Sequence, residues 1–201
     1  LTVRIDTSAG PASLEIDDVS APSLLVLLTH GAGGGVDARD LLTVRDLAVR
    51  CGAVVARVLQ PYRVAGARAP GSAEKQDAAW LELVAALRRR YGPVPLVQGG
   101  RSNGARVACR TATAAGARGV LALSFPLHPP GKPEKSRRAE LLAASAAEVV
   151  VISGGSDPFG IPEAGDVAEL HVITGQPHAF RRGFDEIETV VEPWLRRWSA
   201  R

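Results

Sequence analysis

Five residues pose the chemical question: Gly100, Arg101, Ser102, Asn103 and Gly104, inside the stretch VPLVQGGRSNGARVACRTATAA from Val94 to Ala115. A serine flanked by glycines, where an apolar run meets an Ala-rich segment, is the pattern that exposes a nucleophilic hydroxyl on a sharp strand-to-helix turn. The demand is steric. A serine held at crowded or positive backbone angles needs neighbours two positions away that carry almost no side chain. The helix behind it offers unpaired N–H groups to a developing negative charge. The same five letters also fit an ordinary Gly-rich turn, so the rest of the chain must decide.

A serine hydroxyl attacks only when a base lies within hydrogen-bond reach and a third group orients that base. His178, in Gly175-Gln176-Pro177-His178 after the last predicted strand, is the candidate base. Asp157, in Gly154-Gly155-Ser156-Asp157-Pro158 after the preceding strand, is the candidate orienter. Asp166 and Asp185 are weaker substitutes, and Asp-Pro also suits a plain turn. The glycine run His30-Gly31-Ala32-Gly33-Gly34-Gly35 follows a buried apolar segment. It matches neither a Walker loop nor GxGxxG, so it reads as an oxyanion loop rather than a nucleotide cradle. The backbone N–H of Ala32 or Gly33 is one expected donor to the oxyanion, and the N–H of Asn103 the other.

His30, Arg101 and His128 are the candidate substrate contacts. His30 reads better as a residue that ties its loop down than as a base. Arg101 either binds an anionic group or pairs with an acid under the turn. His128, in Pro126 to Pro133, either touches substrate or braces its loop. His171 falls within a strand. The histidines lack HxH or HExxH spacing, so neither a metal nor a cofactor is expected.

These side chains need a scaffold that gathers them. Two short alternating strands are expected around Thr2–Asp6 and Ala12–Asp17, with continuous apolar strands at 23–29, 53–59, 94–97, 119–125, 148–154 and 170–174. Helical spacing runs over 37–50, 74–90, the segment after Ser102, 134–145 and 182–197. The Pro/Gly loop 60–73 is either a wall of the site or a plain surface connection. Alternating strands and helices predict an α/β fold, a mostly parallel central sheet with helices on both faces. The carboxyl ends of its strands would then carry the Gly-rich loop, Ser102, Asp157 and His178 on one edge.

The 201 residues suit one domain spanning 1–201. With 46% hydrophobic residues, 24 basic against 21 acidic side chains and a net charge of +3, the composition demands no polyanionic partner, and Arg88-Arg89-Arg90 reads as a solvated helix end. No apolar run approaches a membrane span, and the first residues do not resemble a signal peptide. Cys51 and Cys109 read as reduced thiols of a cytoplasmic protein. The expected partner is a small acyl substrate, with no nucleic acid and no membrane; the sequence leaves the oligomeric state open.

The segments THGAGGG, PYRVAGARAP, QGGRSNGARVA, FPLHPPGKPEK and SGGSDPFG resemble the α/β-hydrolase superfamily, in particular its small dienelactone-hydrolase-like members. They are closest to a bacterial branch related to the vertebrate testis-expressed hydrolase-like protein. The resemblance implies the α/β-hydrolase fold without a large cap domain, with Ser102 as nucleophile, Asp157 as acid and His178 as base. It implies a serine hydrolase that cleaves a carboxylic ester or related acyl bond through an acyl-serine intermediate. Departures from the family pattern are Asn103 for Met, Ala105 for Gly, and Gln-Pro before His178. Dienelactone hydrolases proper use a cysteine where this chain has Ser102. Pro177 restricts the residue before it. A histidine displaced by that proline would favour the alternative, an inactive hydrolase fold used as a binding or scaffold protein.

Overall fold

A computed structural model describes residues 1–200; Arg201, the last residue of the expected domain, lies outside them. Eight strands form one sheet: β1 (Thr2–Thr7), β2 (Gly10–Asp17), β3 (Leu24–Thr29), β4 (Ala53–Leu59), β5 (Leu96–Arg101), β6 (Gly119–Leu123), β7 (Glu148–Gly154) and β8 (Glu169–Ile173). Their order is β1-β2-β4-β3-β5-β6-β7-β8. The pairs β1–β2 and β2–β4 are antiparallel, and every other pair is parallel. The helices are α1 (Arg39–Arg50), α2 (Pro61–Val64), α3 (Ala73–Tyr91), α4 (Asn103–Ala115), α5 (Arg138–Leu142) and α6 (Phe184–Ser199). Among the described residues no large cap covers the carboxyl edge.

The period of the apolar residues explains the layers. Side chains alternate across a strand, and β3 is buried along its whole length. Leu25 and Leu27 join the core under α3, α4 and α5, whereas Leu24, Val26 and Leu28 join the core under α1 and α6. By contrast, β2 sends Ala12, Leu14 and Ile16 inward while Ser13, Glu15 and Asp17 stay half-buried. The sheet is therefore covered on both faces in the middle and on one face at its β1–β2 edge.

Several contacts fix the strand that carries the serine. Gln98, fully buried on β5, accepts from Trp80 Nε1 at 3.0 Å and donates to Ala108 O at 2.6 Å and Thr111 Oγ1 at 2.8 Å. One amide thus ties β5 to α3 and α4 with its polar atoms paired. At the other end of the sheet, Trp198 lies against Gly119, where a Cβ would fall 2.3 Å from the indole. Cys51 joins the α1 and α6 core and Cys109 the opposite one; both thiols are free, and burial pushes Cys109 up to about 12.

Some expected boundaries shift. The helix expected over 134–145 contracts to α5, because backbone turns from Lys132 to Pro129, from Lys135 to Lys132 and from Arg137 to Leu127 take up the preceding segment. The strand expected at 94–97 begins at Leu96 and runs to Arg101, directly into the serine. The loop 60–73 contains a helix that periodicity did not reveal, α2, four residues long with Pro61 at its start.

Candidate active site

Ser102 stands between β5 and α4 with φ 53° and ψ −113°, a conformation that costs a non-glycine residue about 1–3 kcal/mol. Its N–H donates to Leu123 O of β6 at 2.9 Å, which holds the bend against the sheet. The flanking glycines are required by contact. A Cβ on Gly100 would lie 2.5 Å from Thr29 O, and one on Gly104 would lie 2.5 Å from the same oxygen and 2.8 Å from His30 O. The end of β3 packs into the hollow that the two glycines leave.

His178 reaches this serine from the loop after β8. Its Nε2 lies 2.8 Å from Ser102 Oγ and its Nδ1 lies 2.7 Å from Asp157 Oδ2. The Asp157 carboxylate has no solvent exposure, and its other oxygen accepts the Phe159 N–H at 2.8 Å. The Phe159 ring lies on the imidazole, with centroids 4.2 Å apart. Gln176 is buried and accepts the N–H groups of Arg181 and Arg182 at 3.0 and 3.1 Å, so the loop around His178 closes on itself. Pro177 does not displace the histidine.

The Gly-rich loop after β3 lies against the serine: a Cβ on Gly31 would approach Ser102 Cβ to 3.3 Å. Its shape is held from the β4–α2 segment. The Gln60 N–H donates to His30 Nε2 at 3.0 Å, the Tyr62 hydroxyl to Ala32 O at 2.9 Å, and Arg63 Nε to Gly34 O at 2.9 Å. Because His30 Nε2 accepts, the ring proton sits on Nδ1 and is donated to Gly31 O at 2.8 Å. That carbonyl also takes the Gly34 N–H at 2.9 Å. In a trans peptide the N–H points opposite to the carbonyl. The Ala32 N–H therefore faces away from His30, and the Gly33 N–H faces away from Tyr62. Asn103 is the first residue of α4, so its N–H is among those a helix leaves unpaired.

A serine on a strained turn, an imidazole bridging it to a buried carboxylate, and a clamped glycine loop beside it make a recognisable combination. The family profile described as an alpha/beta hydrolase domain matches residues 22–183, most of the chain. The chain belongs to the alpha/beta hydrolase domain family. Solved hydrolase structures share the fold across nearly the full length. A serine hydrolase without a lid, XC6422 from Xanthomonas campestris, is 18% identical with a TM-score of 0.78, covering 98% of this chain and 94% of that one. Est1E from Butyrivibrio proteoclasticus, solved with ferulic acid, is 14% identical with a TM-score of 0.77, covering 99% and 100%. A dienelactone hydrolase from Anabaena variabilis is 15% identical with a TM-score of 0.74, covering 98% and 97%. No curated protein sequence matches.

Within this hydrolase-family chain, the three histidine and arginine candidates for substrate contact turn to the protein itself. His30 is fully buried with both ring nitrogens engaged, and burial lowers its pKa; it is a tie within the loop. Arg101 places Nε 3.0 Å from Asp40 Oδ2 and donates from Nη2 to His178 O at 3.3 Å. It therefore pairs with an acid under the elbow rather than awaiting an anion. Burial raises the Asp40 carboxyl, opposed by the charge of Arg101. His128 Nδ1 bonds Pro129 O at 2.9 Å, and the His128 backbone N–H donates to Phe159 O, also at 2.9 Å. Its ring fills the space where a Gly160 side chain would stand, so it braces the acid loop. Asp166 is held by Arg138 and Asp185 lies in the first turn of α6; neither reaches His178.

Sequence reasoning missed Phe159, Gln60, Tyr62, Arg63 and Asp40. The segments PYRVAGARAP and SGGSDPFG were already conspicuous, but nothing in their spacing reveals which distant carbonyl or ring each residue meets. A wide hollow of about 720 Å³ lies at the opposite end of the sheet, against Leu96, Arg118 and Glu148. It is remote from the serine because these residues begin or precede strands, whereas Ser102 follows one. Among the described residues no His, Cys, Asp or Glu cluster could hold a metal ion, and no helix is long and apolar enough to cross a membrane.

Proposed function

We propose that the chain is a serine hydrolase that cleaves a carboxylic ester or related acyl bond, its 201 residues working as one catalytic domain. The observation that carries this reading is the continuous relay from Ser102 Oγ through His178 to the Asp157 carboxylate, at 2.8 and 2.7 Å. His178 takes the Ser102 proton as Oγ bonds to the carbonyl carbon. Asp157 fixes the imidazole with its proton on Nδ1 and stabilises the imidazolium that forms. The oxyanion is held by the N–H of Asn103 and that of Ala32 or Gly33. The tetrahedral intermediate collapses, the alcohol departs with the proton from His178, and an acyl-serine remains. Water, deprotonated by the same imidazole, then releases the carboxylic acid and restores Ser102.

Each step uses groups of the chain itself. The small dienelactone-hydrolase-like branch related to the testis-expressed hydrolase-like protein remains the proposed relationship within the family, supported by the segments that carry that resemblance. Free Cys51 and Cys109 agree with action in the cytoplasm. An inactive binding fold would be favoured by a displaced His178, and the imidazole contacts give that reading no support. The test is hydrolysis of p-nitrophenyl acetate. Ser102→Ala is expected to lose about 10³-fold or more of kcat/KM while keeping the wild-type melting profile. Equal rates in the two proteins would remove the assignment.

A further inference from the structure

The carboxyl edge holds a second feature, separate from the relay. A cavity of about 190 Å³ opens between α2 and the first turns of α3. Pro61, Tyr62 and Ala65 form one wall, and Gln76 and Ala79 the other. Small residues create the space. At Gly71, on the rim, a Cβ would meet nothing within 4 Å. Lys75 is the one charged residue at the cavity and is exposed, which leaves the interior mostly apolar.

Two walls join the cavity to the candidate site. The Tyr62 hydroxyl donates to Ala32 O at 2.9 Å, and Gln76 Oε1 accepts from Asn103 Nδ2 at 2.8 Å. Ala32 and Asn103 are residues whose N–H groups are assigned to the oxyanion, so one side chain, Tyr62 or Gln76, separates the cavity from each of them. The sheet order gives the direction. Ser102 follows β5, with β3, β4 and β2 on one side and β6, β7 and β8 on the other. His178 arrives from the β8 side, while α2 packs on β2. A tetrahedral acyl carbon carries Ser102 Oγ, the oxyanion, the leaving oxygen and the acyl group. The leaving oxygen must lie beside His178 Nε2 to receive its proton. The acyl group, directed away from the β8 side, then meets the cavity.

We propose that this cavity is the acyl subsite and that it selects a short, uncharged acyl group. The proposal rests on the assignment of Ser102 as nucleophile. An apolar cavity of about 150 Å³ accepts a benzene ring, so one near 190 Å³ takes an acyl chain of roughly four to six carbons. The alcohol portion is left on the β7–β8 side, beside His178.

The test compares p-nitrophenyl acetate with p-nitrophenyl hexanoate for wild type and Ala65→Phe, with Gly71→Val as a second way to fill the cavity without touching α2. Labelling by a fluorophosphonate is run on each protein in parallel. The expected result is that both variants label and that the hexanoate-to-acetate ratio of kcat/KM falls about tenfold or more. Labelled variants whose ratio stays within about twofold of wild type would overturn the subsite and leave Ser102 as nucleophile. A wild-type protein that neither labels nor hydrolyses acetate would overturn both.

Discussion

The two halves of the candidate site are built differently. The elbow is made by neighbours in sequence: Ser102 carries its strain, and the end of β3 fills the hollow that Gly100 and Gly104 leave. The glycine loop proposed to hold the oxyanion has local bonds only to Gly31 O. Its glycines leave it free to take many shapes, and its one shape comes from Gln60, Tyr62 and Arg63, at least 26 positions on from Gly34 (60 minus 34). One half is fixed by sterics and the other by tertiary hydrogen bonds. Mutations should therefore fail in different ways, abruptly in the elbow and by degrees in the loop.

The largest effect is expected where the relay itself is broken. In Asp157→Asn, the amide oxygen can keep the Phe159 N–H only by turning its NH₂ toward His178 Nδ1. The imidazole then carries its proton on Nε2 and cannot accept from Ser102. A fall in kcat of about 10³–10⁴-fold is expected with stability little changed; a fall under about tenfold would show that Asp157 does not set the tautomer. Next comes the elbow. Gly104→Ala places a methyl 2.5 Å from the Thr29 carbonyl oxygen, and neither can move without moving backbone. A loss of about 2–4 kcal/mol in urea unfolding is expected. Wild-type stability in that variant would mean the close approach of β3 and α4 is not what the glycine serves.

A smaller effect is expected in the loop. Tyr62→Phe removes one hydrogen bond to Ala32 O, worth about 1 kcal/mol net. Activity should fall about tenfold through a looser oxyanion loop while the melting temperature barely moves. Unchanged kcat would indicate that the loop holds its shape without the hydroxyl. The smallest effect is a pH dependence. Burial lowers the His30 pKa below its ordinary 6.5, so the unfolded chain binds a proton that the folded chain refuses. The His30 contribution to stability is present above pH 6.5 and is lost as the pH falls below it. Asp40, raised by burial, drifts the other way and cancels when proteins are compared. Between about pH 7.5 and 5.5, wild type should lose more urea stability than His30→Asn. Equal losses would place the acid sensitivity elsewhere.

The same contrast explains what the sequence made legible. Continuous apolar runs identified the buried strands because a strand covered on both faces has no room for polar alternation. The order of Ser102, Asp157 and His178 was readable because a parallel sheet delivers successive strand ends to one edge. The roles of Arg101 and His128 were left open because each depends on a partner far along the chain, Asp40 for one and the loop 157–160 for the other. The helix α2 was hidden for a different reason: four residues are too few for a helical period to show. Pro177 drew suspicion from a local rule, yet Gln176 gathers the following backbone amides and keeps His178 in reach.

The central claim is that Ser102 is an activated nucleophile. It is tested most directly by treating folded protein with a fluorophosphonate and reading intact mass, wild type beside Ser102→Ala. One adduct on wild type, absent from the variant, is the predicted result. An unmodified wild type, or an adduct that persists in Ser102→Ala, would contradict it.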